Sequence, residues 1–168
     1  MQPFRIALLI ICSSLLAPVA SAEIPQPQHP IEECRKNNDA DKTACLKASW
    51  NEYKNAILEE YQNWKEFEPA AESGNEFRVN SAIRTAMEGG WYIHNHWEPI
   101  TPEADEFDVI SFDEAEAIFD CRSAIINLKF WLIATTSDNM DASSPRNDYK
   151  QSAKKCERGI KKYKFKAH

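Results

Sequence analysis

LKASWNEYKNAILEEYQNWKEF, residues 46–67, is the stretch on which the fold turns. Its apolar and aromatic side chains, Leu46, Trp50, Tyr53, Ile57, Tyr61, Trp64 and Phe67, recur in steps of three and four. With 3.6 residues per turn, that spacing gathers them on one face of an α-helix. A half-buried strand needs alternation in twos, and no segment of the chain shows it well; only Asp108-Val109-Ile110 hints at a strand. The stripe therefore predicts a long amphipathic helix that must bury one side against other helices. Asp39 or Asp41 can cap its start by accepting free backbone N–H groups, and Pro69 marks its end. Aromatic density of this kind could line a ligand groove, but at helical spacing it reads first as core.

Three further helices follow outward from this one. The segment from about Asn75 to Trp97 carries Val79, Ile83, Ala86 or Met87, Gly90, His94 and Trp97 on one side, with Gly89-Gly90 interrupting it. Ser111 and Glu114 have the spacing of a capping box, and Phe112, Ala115, Ile118, Cys121, Ile125, Leu128 and Leu132 form the buried side of the helix they start. Its second half, Ala124 to Ala134, is apolar nearly all round, which suits the central helix of a bundle. Ser144-Pro145 opens the last helix, with Tyr149, Ala153, Cys156, Ile160 and Tyr163 inward. The expected fold is all-α, a four-helix-type bundle over residues 39–168.

The N-terminus sets the compartment. Arg5, an apolar run from Ile6 to Val19 and the small residues of Ala20-Ser21-Ala22 read as a signal peptide over residues 1–22, cleaved after Ala22. The run falls short of the ~20 apolar residues that span a membrane, and no stable membrane anchor is expected. Residues 23–38 then read as an extended, proline-rich leader with a short helical turn near Cys34. Cleavage removes Cys12 and delivers Cys34, Cys45, Cys121 and Cys156 to an oxidising periplasmic or external space, where such sets pair. Four cysteines allow three connectivities. Cys121 and Cys156 each lie on a buried stripe, so neighbouring antiparallel helices turn them together; that favours Cys121 with Cys156 and Cys34 with Cys45.

The formal net charge is −6, but the charge is segregated. Nine acids and no base lie between Glu98 and Asp120, whereas nine bases face only Asp148 and Glu157 from Arg146 onward. Such blocks ordinarily solvate a loop or a helix face. Alternatively, Glu103, Asp105, Glu106 and Asp108 present a negative field that speeds encounter with a basic partner protein. A nucleic-acid role fits neither the compartment nor the net charge. His94, His96 and Glu98 are weak metal candidates, because two or three ligands do not make a site. No G-x-S-x-G, H-E-x-x-H or phosphate-cradling glycine loop occurs, so neither enzymatic activity nor a cofactor is expected.

The N-terminal part resembles the LprI-type lysozyme-inhibitor domain, a family of small exported helical proteins. Cys34, Cys45, Tyr61 and Trp91 occupy the places of its two cysteines, its tyrosine and its tryptophan. The chain departs from the pattern at Lys54 and Leu58, where the family has aspartate and asparagine, and lacks the cysteine after the tryptophan. The resemblance implies binding to a cell-wall lytic enzyme; such enzymes are typically basic, which an acidic segment would suit. An immunity protein against a toxin delivered into the periplasm would use the same devices. A small hydrolase or metal-binding protein built on His94, His96 and Glu98 is the remaining alternative.

Overall fold

The computed structural model of the protein describes residues 31–88, 106 and 108–165. Its helices are α1 (Ile31–Cys34), α2 (Asp39–Lys65), α3 (Glu68–Ser73), α4 (Glu76–Glu88), α5 (Phe112–Thr135) and α6 (Ser143–Tyr163), with no strand among the described residues. The fold is all-α: α2, α4, α5 and α6 are the four main helices, and α1 and α3 are short additions. Residues 108–110, the one strand hint, form a turn. No described helix is long and apolar enough to cross a membrane.

The stripe that predicts α2 is the stripe that is buried: Leu46, Trp50, Tyr53, Ile57, Tyr61 and Trp64 are each at most 4 % exposed. Its cap differs from expectation. Asn38, not Asp39 or Asp41, supplies the oxygen that accepts the Asp41 backbone N–H at 3.2 Å. Helix α2 ends at Lys65 because the ring of Pro69 would clash with the carbonyl four residues earlier. The same proline sits in the first turn of α3, where its missing N–H leaves no bond unmade. Asn75 then caps α4, its side-chain oxygen accepting the Arg78 N–H at 3.1 Å. On α4, Val79, Ala82 and Ala86 are buried, Ile83 is half-buried and Met87 is exposed.

Helix α5 occupies the centre, packing against α2, α3, α4 and α6, as its all-round apolar second half requires. Phe112, expected inside, is 61 % exposed, because burial on this helix begins a turn later at Ala115. The capping box does not form: Ser111 makes no side-chain cap bond, and Glu114 instead accepts a 2.8 Å hydrogen bond from Lys54 on α2. The start of α6 lies one residue before the expected cap. There Asp141 takes the role of Ser144, accepting the Ser143 N–H at 2.9 Å.

Both expected disulfides are present. Cys34 joins Cys45, and Cys121 joins Cys156, with Cα atoms 5.3 and 4.5 Å apart. Near the second bond α5 and α6 approach very closely, since a Cβ placed on Gly159 would lie 2.5 Å from that of Ala117. Further along, Trp131 and Tyr149 set their rings 5.7 Å apart, and Asn127 donates to Ser152 at 3.2 Å. Helix α6 therefore runs antiparallel to α5 over most of its length, with Ile160 half-buried at its end.

Candidate functional site

The acidic segment singled out in the sequence reaches the described fold at Glu106, and there the expectation needs correcting. Glu106 is not an exposed acid. Its side chain is fully buried and forms a two-pronged ion pair with Arg35, Nε to Oε1 at 2.9 Å and Nη2 to Oε2 at 3.0 Å. A carboxylate enters a protein interior only with such compensation, because desolvating an unpaired charge costs several kcal/mol. Arg35 follows Cys34, so the pair ties the end of the acidic segment to the corner where the Cys34–Cys45 disulfide holds α1 on α2.

From Glu106 the chain turns at once: its carbonyl accepts the N–H groups of Val109 and Ile110, both at 2.9 Å. The turn buries Ile110 and leaves Asp108 exposed. Glu103 and Asp105 lie outside the described residues, as do His94, His96 and Glu98. Among the described residues no group of three or more His, Cys, Asp or Glu is placed to hold a metal ion.

Three other acids of the block find bases that sequence order keeps far away. Glu114 pairs with Lys54, Asp113 with Lys162 at 3.1 Å, and Asp120 with Lys155 at 3.8 Å. The segregation seen along the chain thus becomes complementarity across it, because antiparallel packing lays the basic end of α6 beside the acidic start of α5. Two lysines also cap an aromatic pair. Lys54 lies 5.5 Å from the Phe165 ring, Lys162 lies 4.8 Å from that of Tyr163, and the two rings are 5.5 Å apart.

A second polar seam joins α6 to α2 and α3. Tyr149 donates to Glu68 at 2.7 Å, Lys150 bonds Glu68 and pairs with Glu72, Arg146 reaches Glu72 at 2.9 Å, and Lys65 pairs with Glu157. Burial pushes the Tyr149 and Tyr61 hydroxyls up from their ordinary range, and the neighbouring carboxylates push the same way. Burial also favours the neutral form of Glu68, yet the hydrogen bonds from Lys150 and Tyr149 outweigh it and hold the carboxyl below its usual range. Tyr53, on the buried stripe, is pushed up to about 12 by desolvation. Tyr149 and Tyr61 act as donors here, to Glu68 at 2.7 Å and to Glu157 at 3.4 Å.

None of these pairings is visible in the order of residues alone. For the pairs of Asp113 with Lys162 and Asp120 with Lys155, the one signal is the matched spacing of acids in α5 and bases in α6. Compared with protein-family models, with curated proteins and with solved structures, the chain shows no significant match.

Proposed function

We propose that the protein is an exported, periplasmic binding protein that inhibits or neutralises a basic, cell-wall-directed enzyme, in the manner of a lysozyme inhibitor. The observation that carries this reading is the anchoring of the acidic segment. Glu106 is fixed by Arg35 beside a disulfide, and Asp108 stands exposed two residues on. Glu103 and Asp105 precede the anchor directly in sequence. The recognition acids are then Glu103, Asp105 and Asp108, while Glu106 holds the segment in place. With Glu106 and residues 108–110 already held in the fold, that end of the segment has less entropy to lose on binding. The two disulfides support the exported setting, since such bonds persist in oxidising compartments.

The test is a binding measurement against a basic lysozyme at several salt concentrations, with the wild type and an E103Q/D105N/D108N variant. Exposed charges act mainly on the encounter rate, and the screening length falls from ~10 Å at 0.1 M salt to ~3 Å at 1 M. The wild type should associate faster at low salt, and the variant should lose both the speed and the salt dependence. Equal rates and equal salt dependence would remove the acidic segment from the function.

A further inference from the structure

Between α5 and α6 lies an open groove of about 420 Å³, with Asp113, Glu116 and Asp120 along one side and Lys155, Arg158 and Lys162 along the other. Both sets are spaced i, i+3, i+7, so each stands in line on one face of its helix. Antiparallel packing sets the lines rung against rung. The outer rungs are closed, by Asp113 with Lys162 at 3.1 Å and by Asp120 with Lys155 at 3.8 Å.

The middle rung is open. Arg158 turns its Nε to the Lys154 carbonyl at 3.4 Å, and no ion pair joins it to Glu116 among the described residues. Beneath them the floor is Ala117 and Gly159, in contact so close that no side chain fits at position 159. The space above the floor therefore has an acid on one wall, a base on the other and no side chain from Gly159 in between.

We propose that this groove binds a zwitterion, a free amino acid or short peptide, with its ammonium at Glu116 and its carboxylate at Arg158. A simple cation entering the groove meets the basic wall, and a simple anion meets the acidic one. A molecule carrying both charges a few ångströms apart satisfies both walls, so discrimination comes from repulsion as well as attraction. The groove is of the size that takes small ligands, ~300–1,000 Å³, and at one end of it Asp120 is partly buried, which raises its pKa against the pull of Lys155 and Arg158.

The experiment is an amide chemical-shift titration of the ¹⁵N-labelled protein with alanyl-alanine, with its N-acetylated form and with its C-terminal amide. The free dipeptide should give saturable shifts at Glu116, Ala117, Arg158 and Gly159. Each blocked form should bind about tenfold more weakly, having lost one set of charge-assisted hydrogen bonds. E116Q should weaken the free dipeptide by a similar factor and abolish the penalty for N-acetylation, while R158Q should do the same for the amide. Both side chains are exposed, and unshifted amides elsewhere report that the variants keep the fold. Absence of saturable shifts, equal binding of the blocked forms, or variants that bind like the wild type would overturn the proposal.

Discussion

At the scale of single residues, the pair that matters most is Arg35 with Glu106. Glu106 has no exposed side-chain surface, whereas Arg35 retains a quarter of its own. Removing the guanidinium takes both prongs of the ion pair from a buried carboxylate, so Arg35→Gln should destabilise the fold by about 2–4 kcal/mol, with the partial exposure of Arg35 keeping the loss from being larger. Adding Glu106→Gln in the same chain should recover part of that, because an amide needs no counterion; urea unfolding of the two variants measures the difference. Glu68 makes a second prediction. Its folded pKa lies below the ordinary 4.5, so its contribution to stability is complete above that value and is lost as pH falls through the lower, folded one. Thermal unfolding of Glu68→Gln should therefore show a flatter acid limb than the wild type, while an unchanged limb would assign the acid sensitivity to other carboxyls.

At the scale of elements, periodicity made the helices legible, and competition for the same side chains hid their ends. The α2 stripe could be read because burial and 3.6-residue spacing coincide over its whole length. Ser111 and Glu114 have the right spacing for a capping box, but Glu114 is drawn to Lys54 across the bundle instead. Local sequence contains no sign of that rival. The α5–α6 contact illustrates the same limit, since nothing in the sequence says that Gly159 faces Ala117. Gly159→Ala gains about 1 kcal/mol of helix propensity but drives two Cβ atoms to 2.5 Å, an overpacking that typically costs about 1–3 kcal/mol. The variant should be less stable than the wild type, and Ala117→Gly added to it should restore most of the loss. Additive effects of the two changes in chemical denaturation would mean that the helices do not touch there.

At the scale of the whole molecule, two covalent links hold the elements at opposite ends of the chain. Their loops, with sequence separations of 11 and 35 residues, correspond to about 3 and about 4 kcal/mol in the loop-entropy description. Protein lacking residues 1–22, and with them Cys12, should show no titratable thiol under denaturing conditions, and reduction should lower its melting temperature by many degrees. Two or more free thiols in material from an oxidising compartment would contradict the framework. Helix class, the central place of α5 and the favoured cysteine pairing could be read from sequence, because each rests on spacing within a helix or on where stripes lie. The partners of the charges could not. Arg35 and Glu106 are 71 residues apart, Lys54 and Glu114 are 60 apart, and Asp113 and Lys162 are 49 apart. Their meeting depends on the registers in which α5 settles against α2 and α6 against α5, and on where α1 is clamped to α2. Side-chain periodicity establishes which face of a helix is buried, but only packing between helices establishes what that face, and the charges along its edges, will meet.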